Sequence, residues 1–338
     1  MRERTAEIRD YILKACRDKS LNVASDAARE FGISRQAALR HLHVMEEAGL
    51  VKSEGKKNLK RSSLAAITTN SWRFKLEGLR EDTVWQEYIA PLIVDLPQNI
   101  LEMWQYGATE MINNAIEHSG GIWLTINFSR NALDTELSII DDGEGIFHRI
   151  QRLTGLYDPR ESILELAKGK MTTDPQRHSG EGIFFTSRAF DRFVIISRNL
   201  FFSHQTEKDD WLIDSDSDIS GSTIRFRLSN TCPRTMKEIY DEFAEPEEYA
   251  FNKTRVPVRL ARHEGEKLVS RSQAKRLVSR FEKFKTVILD FEKVEEIGQA
   301  FADEIFRVFA LSHPTVTLIP VNVTEEVNQM IKRALAVT

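Results

Sequence analysis

Glu110 and Asn114 stand four residues apart in Glu110-Met111-Ile112-Asn113-Asn114-Ala115-Ile116-Glu117-His118. On a helix they leave one face, with Glu117 a turn further on. Polar groups on an otherwise apolar helix need partners. Asn114 offers a neutral oxygen to Mg²⁺, a hard ion that keeps several waters and is usually shared with phosphates, while Glu110 can take a proton from an attacking water or hydroxyl. Asn113-Asn114 is a poor helix former where Ala or Leu would serve, which argues against a merely solvated stripe. After one strand pair comes Asp141-Asp142-Gly143-Glu144-Gly145. There the Asp141 carboxylate can accept a hydrogen bond from an exocyclic amine such as that of adenine, and Gly143 and Gly145 let the backbone approach the base. Alone, Asp-x-Gly-x-Gly is a common tight turn; its place after the Glu110–Asn114 helix is what makes it specific. Together these parts suit Mg²⁺ and ATP.

The elements that must hold them follow from periodicity. A helix of roughly 20 residues enters at Gln98 and ends before Gly120-Gly121, with Pro97 suited to its first turn. Residues 122–128 and 136–140 read as antiparallel strands around an Asn131 turn. Asp141 falls at the second strand's end. Residues 146–178 are charged and variable, with Gly155, Asp158-Pro159, Gly169 and Thr172-Thr173, and read as a mobile lid. Within it Lys168, Lys170, Arg177 and His178 are either reaching for a terminal phosphate or solvated. A helix starting after Gly182 would present free N–H groups and a positive end to anions.

Residues 70–230 resemble the ATPase superfamily of DNA gyrase, histidine kinases and MutL. Glu110 and Asn114 match its first motif, Asp141, Gly143 and Gly145 its second, Ser179-Gly180-Glu181-Gly182-Ile183 its third, and Gly221-Ser222-Thr223-Ile224 its closing strand. The resemblance implies a two-layer α+β sandwich of the Bergerat type. It also implies that Asn114 binds Mg²⁺, Asp141 reads adenine, Gly180 and Gly182 line the phosphates, and Thr223 supports the adenine pocket. Where the third motif usually has a further glycine, this chain has His178-Ser179, which puts lid closure in question more than binding. A carboxylate at Glu110 is where the hydrolytic and serine-kinase members keep their base; histidine autokinases lack it there.

Upstream, Ile8, Ile12, Leu13 and Cys16 recur at helical spacing, and a second helix follows from Asn22 to Phe31. Ser34 suits the N-cap of a third, Arg35 to Ala48, with Ala38, Leu42 and Met45 inward. Lys52, Lys56, Lys57, Lys60 and Arg61 then surround a Gly55 hairpin turn. This order resembles a winged helix-turn-helix over residues 1–66, which implies binding to duplex DNA. Arg35, Gln36, Arg40 and His43 would face base edges, and Lys56 and Lys57 phosphates. A protein-contact module with a solvated wing is the alternative.

The charge distribution agrees with this order. Residues 1–65 carry 14 Lys and Arg against 9 Asp and Glu, and residues 66–338 carry 33 against 42, so a basic head sits on an acidic body. Nucleic-acid binding by the larger part is thereby disfavoured. No run of about 18 apolar residues exists to span a bilayer, and the charged start Met1-Arg2-Glu3-Arg4 is no signal core, so a cytoplasmic site without membrane contact is expected. Cys16 and Cys232 have no CxxC spacing, which indicates neither a disulfide framework nor a zinc site.

Residues 231–253, with Pro233 and Glu245-Pro246-Glu247-Glu248, read as a helical linker. Beyond it, strands at 256–260, 286–291 and 316–321 alternate with helices at 270–284, around Phe301–Phe309 and at 324–335, a small α/β layer. Val287-Ile288-Leu289-Asp290-Phe291 followed by Ile297-Gly298-Gln299-Ala300-Phe301 resembles a STAS-like domain over 254–338, related to anti-sigma-factor antagonists. Where phosphorylated antagonists open the following helix with serine, this chain has Gln299, so a built-in kinase and substrate pair is disfavoured. Binding of an unknown protein partner stays open beside a purely structural use of Gly298 and Gln299, and so does a homodimer. The expectation is a multidomain α/β regulator in which Mg·ATP binding or slow hydrolysis controls DNA or partner binding. The alternative is an anti-sigma-like serine/threonine kinase acting on a partner in trans. A third reading is an inert, nucleotide-stabilised scaffold.

Overall fold

The computed structural model describes residues 2–18, 20–55, 61–171, 180–205, 208–244, 250–262 and 265–336. It is a mixed α/β multidomain protein, and no helix among the described residues is long and apolar enough to cross a membrane.

Helices α1 (Arg2–Arg17), α2 (Val23–Phe31) and α3 (Arg35–Glu47) pack through Ile8, Ile12, Cys16, Ala27, Ala38, Leu42 and Met45 into a core of their own. The turn between α2 and α3 follows local chemistry. Gly32 takes the left-handed conformation that ends α2, and the Ser34 Oγ accepts the Ala37 N–H at 3.2 Å to start α3. Strands β1 (Val51–Glu54) and β2 (Arg61–Leu64) pair antiparallel as the wing. One residue, Ala65, then separates β2 from β3 (Ala66–Lys75), the edge strand of the next sheet.

That sheet has the order β3-β4-β5-β7-β6, antiparallel throughout, with β4 (Trp123–Asn131), β5 (Asp134–Asp141), β6 (Arg192–Gln205) and β7 (Lys208–Ser229). A short α4 (Glu81–Val84) leads to the 21-residue α5 (Gln98–His118), with Pro97 at its N-cap. α5 lays Ile100, Met103, Trp104, Ala108, Met111, Ile112 and Ala115 into the core that covers the sheet. The segment expected as a lid contains two helices, α6 (Ile146–Thr154) and α7 (Glu161–Lys168), and α8 (Gly182–Ala189) follows. Residues 172–179, including Arg177, His178 and Ser179, lie outside the described residues.

Within the stretch expected as a linker, α9 (Met236–Phe243) opens on a Thr235–Glu238 capping box and buries Met236, Ile239 and Phe243. The Phe243 ring packs on Phe184 and Phe251, and Tyr240 on Phe185 and Tyr106, so this helix is part of the core. The last unit is a parallel sheet in the order β10-β9-β8, from β8 (Lys253–Pro257), β9 (Thr286–Asp290) and β10 (Thr317–Val321). It carries α10 (Arg271–Val278), a helical run over 299–312 that begins as α11 (Gln299–Asp303) and closes as α12 (Ala310–Ser312), and α13 (Glu325–Leu335). Two sequence expectations shift here. The strand expected at 256–260 lies at 253–257, with a 3₁₀ turn after it. The helix expected to reach 284 stops at Val278, because Ser279 turns out of the helix at ψ 130° and Arg280 then adopts φ 68°, a left-handed conformation. One buried cluster runs unbroken from Leu76 to Ala334, joining the five-stranded and three-stranded sheets.

Candidate functional site

Four segments meet at a cavity of about 280 Å³ between α5, the end of β5, α6 and the start of α8. Glu110 and Asn114 line it from α5, Asp141 and Gly145 from the end of β5, and Gly180, Glu181 and Gly182 from the turn into α8. Ile139, Ile150, Leu153, Ile183 and Ile224 supply apolar wall. Glu117, one turn beyond Asn114, is exposed and outside the cavity.

Asp141 is held rigidly. The Gly143 N–H donates to its Oδ1 at 3.0 Å and the Ser222 N–H at 3.3 Å. Both bonds fall on Oδ1, and Oδ2 accepts none among the described residues. Burial pushes the Asp141 carboxyl above the usual carboxylate range, against the two amides that stabilise its charge. Asn114 likewise makes no side-chain hydrogen bond among the described residues, although it sits on a buried helix. Two polar groups therefore face the cavity with capacity to spare.

Two glycines of the α8 turn sit in close quarters, and Gly180 alone is required by its backbone conformation. A Cβ on Gly182 would land on the Glu110 Oε2, so the Glu110 carboxylate lies directly against the start of α8. Gly180 has φ +71° and a Cβ there would fall on the Met171 backbone, to which it is also tied by the Met171 N–H donating to the Gly180 carbonyl at 3.0 Å.

Two expected residues do not reach the cavity wall. Thr223 pairs with Ile140, whereas Ser222 and Ile224 pair with Asp141 and Ile139; strand alternation puts Thr223 on the opposite face. Gly143 stands behind Asp141, where it supplies the amide bond and lets the Ser119 carbonyl approach. In that strand Ser222 lines the cavity instead. It fixes Asp141 through its amide and, through Oγ, accepts the Ile146 N–H at 2.9 Å, which caps α6. Sequence reasoning also passed over Arg149, which lines the cavity from α6 near Ile146, Ile150 and Leu153. The helical spacing of those four was the available signal.

The lid lysines point elsewhere. Lys168 is fully buried, and its Nζ donates to Glu165 Oε1 at 2.6 Å and to the carbonyls of Arg276 at 2.8 Å and Ser279 at 3.0 Å. Lys170 donates to the Lys283 carbonyl at 3.0 Å. Neither lines the cavity.

On the amino-terminal unit, Arg35, Gln36, Arg40 and His43 are all exposed on α3, opposite its buried face. Arg35, Gln36 and Arg40 make no side-chain hydrogen bond or ion pair among the described residues. His43 lies beside Glu46 at 3.8 Å and Glu47 at 3.3 Å, so its surroundings are acidic. Lys56 and Lys57 lie outside the described residues.

Comparison with known families gives two matches. A helix-turn-helix domain model matches residues 12–54, which covers α2, α3 and β1. A model described as a STAS-like domain of unknown function (DUF4325) matches residues 273–328, from α10 into α13. No match to a family of the gyrase, histidine kinase and MutL superfamily was found. A search of curated proteins finds no match to this chain.

Proposed function

We propose that the chain is a DNA-binding regulator whose central unit binds Mg·ATP, and that this binding, or slow hydrolysis, controls how the helix-turn-helix meets duplex DNA. The units would be 1–66, 70–230 and 254–338, with α9 bridging the last two. One observation carries the nucleotide reading. Glu110, Asn114, Asp141 and the Gly180-Glu181-Gly182 turn, which resemble three separated superfamily motifs, converge on one cavity of about 280 Å³.

The residues present fit the ligand. Asn114, with its side chain unengaged among the described residues, would hold Mg²⁺ together with phosphate oxygens. Asp141 would take the adenine amine on Oδ2, since Oδ1 is occupied by the amides of Gly143 and Ser222. The first amides of α8 would receive phosphate. Bound Mg·ATP would supply a phosphoanhydride bond and the charge that turn is built to meet. Glu110, set against Gly182, would accept the proton of an attacking water or hydroxyl. On the DNA side, Arg35, Gln36 and Arg40 have donors free for base edges and phosphates. The two sites would communicate along the sheet, because β2 of the wing leads through Ala65 alone into β3, whose start pairs with the end of β4 remote from Asp141.

The test is a calorimetric titration of Mg·ATP into the wild type and Asn114→Ala. Binding by the wild type and its loss in the variant are expected; equal affinity sinks the assignment. Glu110→Ala should bind ATP and lose turnover, and ATP should change duplex affinity at fixed salt. Transfer of γ-phosphate to a co-purified protein would favour a kinase instead.

A further inference from the structure

Helices α7 and α10 end against each other, and a cation from each side reaches carbonyls at or just past the other's end. The last carbonyls of a helix have no partner within it and favour positive charge. Lys168, the final residue of α7, donates to the Arg276 and Ser279 carbonyls at the end of α10. In return Arg280, two residues past α10, donates through Nη2 to the carbonyls of Gly169 at 2.9 Å and Lys170 at 2.6 Å, just past α7. Its Nη1 reaches Glu165 Oε2 at 2.6 Å and Met171 Sδ at 2.9 Å. All hydrogen bonds of the Arg280 side chain among the described residues thus go to 165–171.

Arg280 holds this position at φ 68°, and Lys170 opposite it has φ 50°. Left-handed backbone at long side chains persists where the surroundings over-determine it, and such residues cluster at functional sites. The segment they fix is one contact from the cavity. Met171 lines it, and its backbone is the seat on which Gly180 lies.

We infer that Arg280, from the STAS-like unit, is a positioning residue for the phosphate-binding turn, holding 169–171 in the one backbone path that seats Gly180. The fork of the guanidinium suits this, since it binds two successive carbonyls and a carboxylate at once. Lys or Met at this position could not. The STAS-like unit therefore completes the nucleotide site from outside it, and anything that moves the end of α10 changes how phosphate is held. This assignment rests on the nucleotide reading for its ligand, while its structural half stands without it.

The test uses the full chain with Arg280→Gly, which deletes the side chain while keeping a residue at ease with positive φ. Amide hydrogen exchange in the nucleotide-free protein should be at least tenfold faster at Met171 in the variant, with α5 unchanged. Mg·ATP affinity should fall at least tenfold and adenosine affinity less than threefold, because adenosine uses Asp141 and not the turn. Unchanged protection at Met171, or equal weakening of ATP and adenosine, overturns the assignment. Should Arg280→Gly fail to fold, Arg280→Lys is read the same way, with a threefold loss of ATP affinity and no loss of adenosine affinity expected. If the wild type binds neither ligand, the nucleotide reading and the phosphate role fall together, and exchange at Met171 alone decides whether Arg280 holds the segment.

Discussion

Between α1, α3 and the 132–133 turn lies an open cleft of about 770 Å³, lined by Leu13, Val44, Leu50 and Leu133, and the covalent joint there is the single residue Ala65. Between α7 and α10 there is no such gap. Glu161 pairs with Arg276 at 2.7 Å, Glu165 with both Lys168 and Arg280 at 2.6 Å, and Thr254 Oγ1 donates to the Lys168 carbonyl at 2.7 Å. The amino-terminal unit has its own core, while the carboxy-terminal unit shares one with the central sheet. At the first joint one buried carboxylate, Asp134, feels a head residue, Arg17. The second cannot open without stripping partners from carboxylates and ammonium groups that water does not reach. The head thus stands on its own core, while the central and carboxy-terminal units are locked into one.

The largest expected effect breaks the locked joint. Glu165→Ala leaves Lys168 and much of Arg280 buried without their carboxylate, and removal of one partner of such a pair costs about 3–5 kcal/mol. Urea denaturation should show the central and carboxy-terminal units losing stability together; two separated transitions in that body would show that the second joint is no tighter than the first. A smaller and confined effect is expected at the open joint. Ile12, fully buried in the head, should cost about 3 kcal/mol on truncation to alanine. In calorimetry only the head's transition should move, and a matching shift in the body would show that the two cores are coupled.

The smallest effect is a pH dependence. Burial pushes the Lys168 ammonium down from 10.5 to about 8, with Arg280 adding to the fall and Glu165 and Glu282 opposing it. Between about pH 8 and 10.5 the unfolded chain binds the proton that the folded chain has lost, so unfolding free energy rises with pH across that window. Below about pH 8 both states are charged, and the folded state bears the full penalty. Lys168→Met should remove this rise, read as the difference between wild-type and variant urea midpoints from pH 7 to 10. Parallel curves would show that Lys168 does not titrate there.

Much of the fold was legible. Ala38, Leu42 and Met45 were read as the inner face of α3 and are buried there, because a single helix against a single core obeys its 3.6-residue period. α5, β4 and β5 also follow their periods, and Glu110, Asn114 and Asp141 meet where the motif spacing anticipated. Thr223 was missed by one residue, since alternation in a strand turns a one-place error into the wrong face. The reading of Lys168 and Lys170 as lid or phosphate residues failed for a different reason. A charged octet such as 161–168 looks solvated unless its partners are known, and Glu161 and Glu165 find theirs 115 residues along the chain.

By itself, then, the amino-acid sequence determined the elements whose causes are local: the capped helices of the head, the long α5 with its polar face, the strand pair ending at Asp141, and the alternating carboxy-terminal unit. Tertiary structure alone decided that α7 is buried with its charges, that α9 is core, that α10 stops at Val278, and that Arg280 reaches back to the segment seating Gly180. Periodicity and caps act within a few residues. Paired burial of charge and the capping of one helix end by another unit depend on groups that only the folded chain brings together.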